Sequence, residues 1–174
     1  MHFSFNQSLE ILERTPSVLV SYLSGLSDEW LKQNEGENTW SPYDILGHLI
    51  VGEKTDWMVR ARIILGSAED KRFKAFDRFA QLRNDQNRTI SDMLKEFSEL
   101  RSDNLEELKA FDISEEQLKL TGIHPEFGEV TMSQLLSTWT VHDLNHISHI
   151  SRVMARQYKE AVGPWINYLG ILKK

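Results

Sequence analysis

The stretch NTWSPYDILGHLIVGEK, residues 38–54, contains a complete helix start. Ser41 is placed to accept from the first free backbone N–H groups. Pro42 fits the first helical position, where no N–H is needed, and Asp44 suits the positive end of the helix dipole. The helix so begun is expected to run to about Leu65 and stop at Gly66. On it Ile45, His48, Gly52, Thr55, Val59 and Ile63 share one face, so the His48 imidazole points inward. Gly52 removes bulk one turn on, Thr55 adds a polar group, and Asp44 lies one turn back. A small residue and polar groups around an inward histidine imply a cavity. Trp57 falls on the opposite side, where it would meet solvent or a partner.

Helical periodicity extends in both directions. Phe5, Leu9, Leu12, Leu19, Leu23 and Leu26 form a stripe over residues 5–33, with a restart expected at Thr15-Pro16. Residues 67–87 are polar, with Phe73, Phe76 and Phe79 interspersed, and read as a long loop that packs its aromatics onto the domain. A third helix is expected from about Thr89 to Phe111. Ser114 and Gln117 suit a short capped turn, GIHPEFGEV a connection or small hairpin, and Thr131 with Gln134 the start of a last helix reaching about Tyr158. The tail WINYLGILKK is expected to pack back. Four long amphipathic helices imply an all-α fold, a four-helix bundle, in one domain over residues 1–174. The two later connections, about 20 residues each, are long enough to cross the bundle.

Composition narrows the function. With 40% hydrophobic residues the chain can bury a core, and a net charge of −6 without a basic face argues against nucleic acid or an anionic membrane as partner. No apolar run approaches the ~20 residues of a membrane span, and the N-terminus lacks a signal-peptide pattern, so a cytoplasmic protein is expected. There are no cysteines, so thiolate nucleophiles and Cys-type zinc sites are excluded. Any metal must be held by His, Asp or Glu.

VHDLNHISHI, residues 141–150, carries His142, His146 and His149. Side chains four apart share a helix face, so His142 and His146 can converge on one ion. His142 and His149 are about 10 Å apart along the axis, so a third ligand must come from another helix. His48 is the candidate. A site of His48, His142 and His146 with an open coordination position suits catalysis. Spacing alone also allows three core histidines, because HxxxH without the glutamate of HExxH is a weak motif. His149 would line the cavity or make a core hydrogen bond. His124 lies in a loop, and His2 is expected to be disordered. Trp40, Trp57 and Trp139 read as packing or interface residues.

NTWSPYDILGHLIVGEKTDWMVRARIIL, with its Trp-Ser-Pro cap followed by an inward His and a Glu, resembles the second-helix signature of the DinB-like family. LLSTWTVHDLNHISHISRVMARQY resembles its last-helix signature, and the likeness covers nearly the whole chain. The resemblance implies an up-down-down-up bundle, often a homodimer, with a divalent metal, zinc or nickel, on His48, His142 and His146. It also implies a small-molecule substrate. Characterised members include S-transferases that use a low-molecular-weight thiol, and others are taken as metal-dependent hydrolases by analogy. Three functions follow as expectations. The first is a thiol S-transferase. The second is a hydrolase with Asp44 as the only inward carboxylate beside His48. The third is a non-enzymatic stress-response dimer with a vestigial metal.

Overall fold

Caps and breakers divide the helical segments where their chemistry demands it. A computed structural model describes residues 3–83 and 87–173. Its helices are α1 (Phe5–Leu12), α2 (Thr15–Leu23), α3 (Asp28–Lys32), α4 (Pro42–Thr55), α5 (Trp57–Leu65), α6 (Ile90–Ala110) and α7 (Met132–Arg156). The expected restart at Thr15-Pro16 separates α1 from α2. An antiparallel hairpin, β1 (Thr121–His124) with β2 (Gly128–Thr131), precedes α7. Ser114 and Gln117 cap a single turn as their spacing suggested, with Gln117 accepting from the Ser114 N–H at 2.8 Å.

Pairings between helices give their directions. Ser8 of α1 bonds to Thr140 and Tyr22 of α2 to Ser151 (3.1 Å), so α1–α2 and α7 run parallel. Tyr43 bonds to the Arg88 carbonyl (3.1 Å), Glu53 pairs with Arg101, and Arg62 pairs with Glu107. The α4–α5 rod is therefore parallel to α6. His48 meets His142, and Trp57 stacks on Trp139 at 5.7 Å, so α4–α5 runs antiparallel to α7. The order is up-down-down-up. Two parallel neighbours require the chain between α5 and α6 to travel the length of the bundle, which explains that long loop. Its Phe73 is buried against β1, where the Phe73 N–H donates to the Ile123 carbonyl (2.9 Å).

Two apolar clusters fill the bundle. One gathers Leu12, Trp57, Met58, Leu105, Leu108, Leu136 and Trp139. The other gathers Leu19, Leu23, Leu46, Leu49, Met93, Phe97 and Ile150. Of the tail, Leu172 packs back, whereas Trp165 and Tyr168 stay exposed.

The expected single helix from Pro42 to Leu65 is corrected. It breaks at Asp56, whose backbone (φ −120°, ψ −74°) departs from helical geometry. Beyond the break Trp57, Met58, Ala61 and Ile64 turn inward, while Val59 is 40% exposed. Thr55 is exposed and its hydroxyl donates to the Val51 carbonyl (2.8 Å), so it adds nothing to the cavity. Trp57, expected at solvent or a partner, is 5% exposed and part of the core. Its hint of a dimer surface therefore falls. Before the break α4 is buried almost all round, with only Lys54 and Thr55 exposed at its end. Among the described residues, no helix is long and apolar enough to cross a membrane.

Candidate metal centre

Two capped helices aim the histidines. At the start of α4, Asp44 N–H donates to Ser41 Oγ (3.2 Å), and Ser41 N–H and O–H donate to the Asp44 carboxylate (3.0 and 2.7 Å). This capping box fixes the helix less than two turns before His48. It also occupies Asp44, which therefore does not serve the cavity as expected. Thr131 and Gln134 form the same kind of box at the start of α7.

His48, His142 and His146 come together. One ligand-type atom from each lies within 4.8 Å of the others, and His48 Nε2 is 3.1 Å from His142 Nε2. A tetrahedral ion with bonds of about 2.0–2.1 Å would hold its nitrogen ligands about 3.3 Å apart. Burial is the main cause of depressed pKa values at all three: about 4 for His48, about 3 for His142 and about 2 for His146, with the neighbouring imidazoles adding to the last two. Their ring nitrogens thus keep lone pairs at neutral pH. His48 Nδ1, His142 Nδ1 and His146 Nδ1 are buried without a hydrogen-bond partner. The Arg78 backbone opposes the His48 shift without satisfying that nitrogen.

Aromatic rings frame the cluster. Trp40 lies 4.8 Å from His48 and stacks at 6.3 Å on His146, so it is a wall of the site as well as a packing residue. Phe76 meets His48 edge-on at 5.5 Å, and Trp57 meets His142 edge-on at 5.1 Å. Gly52 leaves room for Trp57: a Cβ on it would sit 3.2 Å from Trp57 Nε1, so the indole would have to give by a few tenths of an ångström. The cluster opens into a cleft of about 760 Å³ whose walls include Phe79, Arg78, Asn145 and His149. His149 lines the cavity, half-buried and stacked on Trp40 at 6.5 Å. His124 stacks on Phe127 (4.4 Å) in the hairpin, and His2 lies outside the described residues.

The cleft's carboxylates already have partners. Glu35 receives both Arg152 (2.8 Å) and Arg156 (3.2 Å). Asp56 pairs with Arg60 (2.6 Å), yet burial pushes its pKa up to about 6 against the pull of that arginine.

Sequence reasoning missed one buried group beside the site. Arg101, 1% exposed, pairs with Glu53 and with Asp143, which sits between His142 and His146 on α7. Burial alone would lower the guanidinium pKa, but the two carboxylates outweigh it and the pKa is raised. The signal was present: Phe97, Arg101, Leu105 and Leu108 recur at helical spacing, so the arginine sits within the apolar stripe of α6.

Comparison with known proteins agrees with this geometry. The sequence model of the DinB superfamily matches residues 11–150. No curated protein matches the chain in sequence. Among solved structures, the chain is similar to YfiT from Bacillus subtilis, a probable metal-dependent hydrolase with an unusual four-helix bundle topology. That likeness has a TM-score of 0.72 at 19% identity and covers 87% of this chain and 86% of the other. It is also similar to TT2238, a four-helix bundle protein, with a TM-score of 0.57 at 21% identity, covering 85% and 98% respectively. At such identities these likenesses speak for the fold.

Proposed function

The chain belongs to the DinB superfamily, and from that premise we propose that it is a metal-dependent enzyme that acts on small molecules through a low-molecular-weight thiol. The observation that supports this reading most is the convergence of His48, His142 and His146 at the wall of an open cleft. The donor set fits a divalent ion. All three imidazoles are neutral at physiological pH, and their nitrogens face one another at ligand-like distances. Zinc and nickel are the ions such imidazole sites take readily. Bound there, a divalent ion supplies Lewis acidity, lowering the pKa of a coordinated thiol and presenting it as a nucleophile.

The protein's own contribution is placement and exclusion. Trp40, Phe76 and Trp57 keep bulk water from the imidazoles and leave one open side towards the cleft. Arg78, held over the rings of Trp40 (6.0 Å) and Phe79 (5.2 Å), gives the mouth a positive edge. Asp44, Glu53 and Asp143 are each engaged elsewhere, so none is free to take a proton at the cluster. A thiol suits that arrangement, because its proton can leave to solvent through the cleft without a protein base. With no cysteine in the chain, the sulfur must come from a cosubstrate.

Metal-dependent hydrolysis is the second reading, and Asp56 favours it. A cleft-wall carboxyl with a pKa near 6 is suited to general acid–base work near neutrality. A homodimer is the assembly the family resemblance implies, now without Trp57 as its surface.

Metal content of untagged wild type and His48→Ala, measured side by side, is the first test. About one divalent ion per chain in wild type and its loss in the variant are expected. Thiol addition should then perturb the absorption of the cobalt-loaded protein, and thiol conjugation to monobromobimane should require metal. A wild type that takes up neither zinc nor nickel ends both enzymatic readings. Hydrolysis abolished in Asp56→Asn, with no thiol effect on the cobalt spectrum, selects the second over the first.

A further inference from the structure

Arg101 makes more hydrogen bonds than any side chain around it. Nε donates to Glu53 Oε2 (3.1 Å), and one terminal nitrogen donates to Glu53 Oε1 (2.8 Å) and Asp143 Oδ1 (3.1 Å). The other donates to Asp143 Oδ2 (2.6 Å) and the Leu12 carbonyl (2.9 Å). These five bonds use every N–H that a guanidinium has. Its central carbon lies over the rings of Phe97 (5.0 Å) and Trp139 (5.1 Å), one from each of the two apolar clusters.

The chain supplies this arginine with a deliberate set of acceptors. In an unbroken helix the Leu12 carbonyl would accept from the residue four on, which is Pro16 and has no N–H. The proline break thus frees an acceptor, and Arg101 takes it. Glu53 is further fixed by Asn104 Nδ2 (3.0 Å) and Trp139 Nε1 (3.2 Å). Trp139 stacks on Trp57, which in turn meets His142.

The outcome is a rigid cross-tie among α1, α4, α6 and α7. Glu53 lies five residues after His48 on α4, and Asp143 adjoins His142 on α7. We infer that Arg101 is the positioning residue of the three-histidine centre: by clamping Glu53 and Asp143 it fixes α4 against α7, and so sets the separation of His48 from His142 and His146. It touches no ligand itself. The inference rests on the metal reading only for its solution readout.

The test replaces the whole cluster, because removing one partner alone strands buried charge. Glu53→Gln, Arg101→Met and Asp143→Leu together keep bulk and remove all charge. In this triple variant zinc affinity is expected to fall about 10- to 100-fold, as when outer supports of metal ligands are lost. The cobalt absorption spectrum should change as well, in protein that still melts cooperatively. A merely structural role would lower the melting temperature and leave the cobalt spectrum alone. A folded triple variant that binds zinc within about two-fold of wild type, with an unchanged spectrum, overturns the inference. Should the triple variant fail to fold, Arg101→Lys carries the same measurements. It keeps the charge but cannot span both carboxylates with a planar fork. If wild type takes up no zinc, the metal reading fails separately. A crystal structure of the metal-free variant then decides: the His48 and His142 rings, 5.2 Å apart in wild type, should separate if Arg101 positions them and stay in place if it does not.

Discussion

Two polar clusters are buried between α4 and α7, and they are built on opposite terms. Around Arg101 every donor has an acceptor, two carboxylates face one guanidinium, and the rings of Phe97 and Trp139 pack against it. Around His48 three imidazoles face one another, and the buried Nδ1 of His142 and of His146 has no hydrogen-bond partner among the described residues. Buried polar groups in native proteins are nearly always satisfied, so a group that is not calls for an explanation. The first cluster is finished by the chain itself and ties together the helices that carry the second. The second gathers neutral imidazoles at the wall of a cleft, in an arrangement that could hold a divalent ion. Burial alone does not tell a structural polar group from a functional one. The balance of donors and acceptors does.

Breaking the satisfied cluster should have the largest effect. Arg101→Ala leaves Glu53 and Asp143 buried and unpaired, and a loss of about 3–5 kcal/mol in urea denaturation is expected. A loss below about 1 kcal/mol would mean that the carboxylates find water or protons readily, and the contrast between the clusters would fade.

The unsatisfied cluster should reveal itself through pH. An unfolded imidazole titrates near about 6.5, whereas His48, His142 and His146 are held at about 4, 3 and 2. Folded-state values are depressed, so the unfolded chain binds more protons below about pH 6.5 and stability falls as pH drops. Between about pH 6.5 and 5 the three imidazoles together should cost chelator-treated protein about 5 kcal/mol, of which Asp56, raised to about 6 and so opposite in sign, returns about 1, leaving a loss of about 4 kcal/mol. Replacing the three histidines with glutamine should flatten that limb, and replacing the Arg101 cluster should not. A smaller change tests the mount of α4. Ser41→Ala removes a cap that touches none of the three imidazoles and should cost about 1 kcal/mol with metal stoichiometry unchanged. Loss of metal from that variant would make the cap part of the site.

Local chemistry was the legible part of the sequence. Ser41-Pro42-Asp44 and Thr131-Gln134 announce helix starts because capping needs only neighbours in the chain, and both form. His142 and His146 converge because helix geometry places residues four apart side by side. His48 joins them because it lies on the side of α4 that packs against α7. What did not read out depended on partners distant in sequence. Arg101 looked like one charge among many on α6, since its acceptors come from residues 12, 53 and 143. The face of Trp57 was misassigned because one distorted residue, Asp56, resets the phase of everything after it. A helical wheel drawn through residues 42–65 assumes a continuity that the backbone does not have.

That single joint at Asp56 has a consequence for how the site can change over evolutionary or laboratory time. His48 rides on α4, ahead of the joint, while Trp57 and Arg60 ride on α5, beyond it. The segment that carries His48 and the segment that shapes the adjoining wall are thus separate pieces of one rod. Beyond Trp57, whose ring rests on His142, substitutions on α5 such as at Arg60 can reshape what the cleft admits while His48 stays where α4 holds it.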